Sequence, residues 1–593
     1  MRVPFFFFAV LVATLPGIAM AQSDLETADR WTFALEPLLF ESEADEAEQR
    51  SEVHGAAAAA TTLASELVDG GGLLAAIEAQ DRMRLLFRRH DLYLFLKYAV
   101  DTRRGDALAS ADEMRVAVRA ARQTLASALS AKSEGWIAEA IASEPALERY
   151  RYFIASVRSD EATTRVEGVE RAIGEFAPLL DAREYPRIVS SLEFPPVVVD
   201  GVSIDYADNR ADIEGSDDPE VRLAGERSLF QGYATRRDLL AHLLTDAIGG
   251  ANAEAKLRNQ TDAVQAALSR AELTEPDYRR LLSDVAAHAD TFKTWQRRTE
   301  DPFGSQVKWT TEQAVQAVVE SAAAFDDGYG DAFGRLLDPA SGRADLGGTG
   351  PRLPIPGAAS VYPIGTSTIY MRGFDGSLLD LIILAHEGGH AVQAQLMAQY
   401  GVRMANSTGP GYFTESFGRF QELILLDHMV RQSSDPDRRT LLRDALAARL
   451  MSVFRSAEEA AVELAIHDLV NRGGTVDADA LDRVTLEVGS RYVLDYDDVP
   501  ERAGLWMLSQ GYFMAPMQEL NDAWASLLAI RYFVAWREDP DGFRRAYLDL
   551  LSRGYDAAPD ELLETLDIDI HDVAFVDDTL GSMRRIVSEI YAE

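Results

Sequence analysis

The sequence predicts a mainly α-helical protein of two helical lobes, with a small β insert ahead of a helix that carries two histidines. Three observations carry that prediction. Apolar residues recur at three- and four-residue spacing along most of the 593 residues, as at Val118, Ala121, Leu125 and Leu129, the period of one helix face. One stretch, Arg343 to Gly357, concentrates glycine and proline and is followed by the β-prone Thr366 to Met371. A balance of 47% hydrophobic to 26% charged residues is that of an ordinary globular chain, with apolar surface enough for a sizeable core.

Taken in order, residues 1–21 read as a signal peptide. Met1-Arg2 is followed by an apolar run that ends in Ala19-Met20-Ala21, a small-residue cleavage site, so an exported protein, periplasmic or secreted, is expected. No comparable apolar run follows, so no membrane insertion is expected after cleavage. With no cysteine in the chain, neither a disulfide nor a lipid-anchored cysteine is available. Residues 22–195 read as an N-terminal helical lobe, in which the Ala56 to Ala60 run looks like a helix start because alanine is the best helix former. Pro195-Pro196 and Val197 to Val199 interrupt the pattern and mark the lobe boundary. In the second region, 196–593, helical periodicity returns from Glu220 to about Arg298 and from Thr311 to Leu337. A short strand or hairpin is expected at Thr366 to Met371, and helix from Ser377 onward. The formal charge of -38, from 58 basic and 96 acidic residues, disfavours nucleic acid and anionic lipid as partners.

The chemistry concentrates in His386-Glu387-Gly388-Gly389-His390, inside the helical pattern Leu378 to Tyr400. Residues four apart share a helix face, so both imidazoles can reach one metal while Glu387 flanks its open position. From composition the pattern H-E-x-x-H would arise by chance about 0.01 times in such a chain. Two histidines leave a zinc site short of its usual three protein ligands, and no histidine follows closely. The next donors are Glu415 and Glu422, seven apart on one face of a helix beginning after Gly409-Pro410-Gly411. One of them can bind the metal and the other can brace a ligand histidine. His428, His467 and His571 lack spaced partners and read as ordinary surface or core residues.

These residues resemble the thimet oligopeptidase and oligoendopeptidase F family of zinc metallopeptidases. Asp218 to Arg222, Gly347 to Met371 and Leu551 to Leu563 are similar to segments of that family as well. The resemblance implies one zinc per chain held by His386, His390 and Glu415, with Glu422 behind a ligand and Glu387 as general base. It also implies a deep cleft between the two lobes that admits oligopeptides and excludes folded proteins. The family usually presents late histidine and tyrosine residues that stabilise the oxyanion. The matching neighbourhood here, Ser509 to Asn521, has Tyr512 and no histidine, so Tyr512 is the candidate donor, aromatic packing being its other reading. Gly409 to Glu415 also resembles the ligand segment of angiotensin-converting-enzyme-type dipeptidyl carboxypeptidases, which would cut elsewhere in the peptide. The missing late residues motivate a further alternative, a peptide-binding protein that keeps the fold without turnover. The expectation is a hydrolase of oligopeptides.

Overall fold

Many helices of the chain begin where a short polar side chain takes a free backbone N–H. Ser42 Oγ accepts from the Asp45 amide at 3.1 Å, and Asp69 Oδ1 accepts from Gly72 at 2.9 Å. The Ala56 to Ala60 run therefore lies in the middle of a helix, Glu43–Ser65, and does not start one: the cap sets the boundary, not alanine propensity. The structure, a computed structural model, describes residues 30–163 and 184–592 apart from 361–365 and a few single positions. The signal-peptide reading of residues 1–21 lies outside them.

Helices Glu43–Ser65, Gly70–Val100 and Gly105–Ser130 pack on a core that includes Val53, Met83, Phe87, Met114 and Val118. A smaller core follows around Leu125, Leu129, Ile137 and Leu147. The face read at Val118, Ala121, Leu125 and Leu129 is buried. At the proline break, β1 (Val197–Val199) pairs antiparallel with β2 (Val202–Ile204), turning through Gly201 at φ +77°. The stretch of helical periodicity from Thr311 to Leu337 is two helices, Thr311–Phe325 and Asp327–Leu337. Asp326 leaves the helix in extended conformation and caps the second, its Oδ1 accepting from the Tyr329 amide at 3.0 Å.

The β insert is a three-stranded sheet. The strand β5 (Thr368–Met371) lies between β3 (Ala344–Asp345), parallel to it, and β4 (Gly357–Ser360), antiparallel to it, with Ala358 opposite Tyr370. The strand expected at Thr366 to Met371 is β5, the centre of the sheet, and β4 forms one of its edges. Beyond it, the largest core gathers helices Leu378–Gln399, Gly411–Gln432, Pro436–Asn471 and Glu519–Glu538. A separate core joins Tyr185, Leu240, Leu244, Trp506 and Tyr512. Among the described residues no helix is long and apolar enough to cross a membrane.

Candidate metal centre

The helix Leu378–Gln399 starts at Ser377, whose Oγ accepts from the Asp380 amide at 3.1 Å. It is apolar nearly all round, the pattern of a helix interior to the protein, with Leu378, Leu381, Leu384 and Ala385 fully buried. That burial carries His386, Glu387 and His390 inside with it, each 1% exposed. Buried polar groups need partners, and those of the two histidines come from the next helix, Gly411–Gln432. Two glycines let the helices approach: a Cβ on Gly389 would stand 3.1 Å from the Gly418 Cα. A Cβ on Gly418 would stand 2.8 Å from His386 Cε1 and 2.9 Å from His390 Nε2.

The close approach brings three ligand-type side chains to one point. Donor atoms of His386, His390 and Glu415 all lie within 4.8 Å of one another. The two Nε2 atoms are 3.1 Å apart, and Glu415 stands 3.4 Å from His386 Nε2 and 3.7 Å from His390 Nε2. Glu415 Oε1 is buried and has no hydrogen-bond partner among the described residues. Two imidazoles and a carboxylate converging in a buried place form a donor set that fits zinc. Behind them, Glu422 Oε1 lies 2.7 Å from His386 Nδ1, and Arg449 Nε donates to Glu422 Oε2 at 2.5 Å. This is the carboxylate–histidine arrangement that orients a ligand and fixes its tautomer.

In the metal-free protein the charges divide unequally. Burial pushes His390 down to about 4. Burial also opposes the charged form of His386, but hydrogen bonds to Glu415 and Glu422 carry it up to about 10. Burial likewise works against the Glu422 carboxylate, yet the Arg449 charge and the His386 hydrogen bond bring it down to about 2. Glu387 sits under the edge strand, where a Cβ on Gly357 would stand 3.1 Å from Glu387 Cγ. A strand edge over a buried carboxylate gives an extended chain a place to lie beside it.

The structure thus brings together His386, Glu387, His390, Glu415 and Glu422. It does not add Tyr512, which is 1% exposed in another core and donates its hydroxyl to the Glu459 carbonyl at 2.7 Å. With that hydroxyl engaged, the oxyanion role expected of Tyr512 is set aside. His467 is buried on Pro436–Asn471, and His571 Nδ1 lies 3.2 Å from Asp277. Sequence reasoning missed Arg449 and Tyr555. The Tyr555 hydroxyl is 3.0 Å from Gln393 Nε2 and 3.0 Å from Thr414 Oγ1, joining the histidine helix to the residue before Glu415. Nothing local marks either residue; they act across 27 and 141 residues or more of chain.

No protein-family model matches the chain. Chromosomal oligoendopeptidase F of Lactococcus lactis subsp. cremoris is 22% identical over 402 residues, covering 64% of this chain and 65% of that protein. Among solved structures, a protein of Chlamydophila abortus assigned as a peptidase superposes with TM-score 0.75 at 17% identity, covering 95% of this chain and 98% of that one. Oligoendopeptidase F from Enterococcus faecium superposes with TM-score 0.61 at 17% identity, covering 92% and 98%. The chain therefore shares its fold with oligoendopeptidase F along nearly its whole length, and its sequence is similar to oligoendopeptidase F over about two thirds of that enzyme.

Proposed function

We propose that the chain is a zinc-dependent metallopeptidase that hydrolyses oligopeptides. The observation that carries this reading is the buried convergence of His386, His390 and Glu415 beside a second buried carboxylate, Glu387, that is not part of the donor set. His386, His390 and Glu415 would hold the metal. Zinc, when bound, supplies Lewis acidity, polarising a carbonyl and making water more acidic. Glu387 takes a proton from the water that attacks the scissile carbonyl, and delivers it to the amine nitrogen as the C–N bond breaks. Glu422, held by Arg449, keeps the His386 ring turned so that Nε2 faces Glu415 and His390. The edge strand β4, over Glu387, would align the peptide backbone.

The names of the similar enzymes support internal cleavage over removal of C-terminal dipeptides. On the signal-peptide reading of residues 1–21, the mature chain would act outside the cytoplasm. Incubating the purified protein with a peptide mixture, with and without a chelator, tests the proposal. Cleavage inside peptides that stops on chelation and returns with zinc is the expected result. If the zinc-loaded protein cuts no peptide, the chain is a binding protein on this fold.

A further inference from the structure

Beyond the metal centre, the interior holds a group of carboxylates that the mechanism does not use. Glu459 and Glu463 are one turn apart on Pro436–Asn471, and Glu519 opens Glu519–Glu538. Glu463 is committed to the backbone: its Oε1 accepts from the Met517 amide at 2.5 Å and its Oε2 from the Glu519 amide at 3.4 Å. It fixes the turn that presents Glu519. Glu519 itself is 3% exposed, yet its carboxylate has no hydrogen bond and no ion pair among the described residues. Its Oε1 rests over Gly511, where a Cβ would stand 2.7 Å away, so only glycine leaves that oxygen its place.

The nearby cations are spent elsewhere. Arg455 pairs with Asp495 at 2.8 Å, and Arg419 pairs with Asp522. A buried, unpaired carboxylate among other carboxylates is costly unless a cation joins it. Burial, and then repulsion from Glu458 and Asp522, push Glu459 up to about 7. Burial drives Glu519 well above the ordinary carboxylate range, with Glu459, Asp522 and Glu463 as the nearest like charges. The group also adjoins the metal centre. Two residues after Glu519, Asn521 Oδ1 lies where a Cβ on Gly411 would meet it at 2.7 Å, at the start of the Glu415 helix. Asp522 holds Arg419, one turn beyond Glu415.

We propose that Glu459 and Glu519, positioned by Glu463, form a subsite for a cationic side chain of the substrate, a guanidinium above all, beside the His386–His390–Glu415 centre. The proposal rests on the peptide-substrate reading and names the chemistry that reading leaves open. A metal ion fits less well, because among the described residues His386, His390 and Glu415 are the only group of three or more that brings donor atoms within 4.8 Å of one another. A guanidinium carries five N–H donors in a planar fork and can bridge carboxylates set further apart.

The test uses peptide pairs that differ only by arginine or its neutral isostere citrulline, with the residue moved stepwise along the peptide. Binding is measured by calorimetry, and kcat/KM on the zinc-loaded protein. At one position arginine should be preferred by about 10- to 100-fold, the worth of a charge-assisted hydrogen bond or two. Glu519→Gln should cut that preference while leaving the citrulline peptide unchanged, and Glu459→Gln should do so partly. Either isostere serves if the other fails to fold. Arginine-selective binding without hydrolysis would uphold the subsite and sink the peptidase reading. Hydrolysis with no arginine preference at any position, or a preference that both variants keep, would overturn the subsite, as would failure to bind any peptide.

Discussion

Glu422 Oε1 stands 2.7 Å from His386 Nδ1, so the other ring nitrogen, Nε2, is the one that meets Glu415 and His390. The relationship separates the two glutamates by role. Glu415→Gln removes a donor from the set of three and should abolish tight zinc binding. Glu422→Gln keeps the set but loosens the ring, and should weaken affinity or activity by about 10- to 100-fold. Zinc stoichiometry under mild chelation on both variants checks this; full occupancy in Glu415→Gln with loss in Glu422→Gln would reverse the assignment.

Gly418 faces both imidazoles with no room for a side chain, and its replacement should behave unlike an ordinary glycine in a helix. Elsewhere Gly→Ala inside a helix gains about 0.5–1 kcal/mol. Here the added Cβ would lie within 2.9 Å of His386 and His390, fully buried rings with no room to retreat. Gly418→Ala should fold but bind zinc at least about tenfold more weakly, since displaced ligands lose affinity. Chelator competition, set beside the thermal midpoint of the metal-free variant, distinguishes displaced ligands from a damaged fold.

What could be read from the sequence at this site was local. His386 and His390 are four apart and Glu415 and Glu422 seven apart, so helix geometry alone puts each pair on a face, and the structure unites the faces. Arg449, Gly418 and Tyr555 matter through contacts between helices, which no spacing rule encodes. Tyr512 shows the converse. A tyrosine in the right neighbourhood is equally a core residue with a bonded hydroxyl, and only its partner, the Glu459 carbonyl, decides. Boundaries were set by capping chemistry that periodicity does not show, as at Asp326 between two helices and at Ser42 ahead of the alanine run.

Tyr555 ties Gln393 to Thr414, and so the two ligand helices to each other. Tyr555→Phe keeps the ring against Phe413 but leaves buried Gln393 without that hydroxyl, at a cost of about 1–3 kcal/mol. If the residue positions the ligands, zinc affinity should fall as well, and the absorption bands of the cobalt-substituted protein should shift. A lower thermal midpoint with unchanged affinity and spectrum would reduce Tyr555 to a packing residue.

Asp81, buried on Gly70–Val100, supplies a pH dependence away from the site. Burial raises its carboxyl to about 6, against the lowering charges of Arg84 and Arg403. A folded-state value above the unfolded one means that stability from this group is fully present below the unfolded pKa, near 4, and is lost as pH rises through about 6. Asp81→Asn removes that loss, so the variant should gain on the wild type as pH rises from 4 to 7, by on the order of 1–3 kcal/mol. Thermal midpoints of both proteins at pH 5 and pH 8 measure it; a gap that does not widen with pH would show that Asp81 is neutralised in the fold by its arginines.

Glu387 carries the sharpest test of the proposed reaction. It is as buried as the two histidines, follows His386 directly and lies under the edge strand, yet stands outside the donor set. If it moves the proton between water and leaving amine, Glu387→Gln must leave zinc binding intact and remove turnover, because the amide keeps the shape and loses the basic oxygen. General-base catalysis is worth about 10²- to 10⁴-fold, so kcat on a cleaved peptide should fall at least that far while KM changes little. A structural carboxylate would instead show itself in a lower thermal midpoint, with turnover surviving in the folded fraction. Zinc content, kcat and thermal midpoint measured on one preparation separate the two. A Glu387→Gln protein with full zinc and near wild-type kcat would leave His386, His390 and Glu415 as a structural metal clip, and the peptidase reading would fall with it.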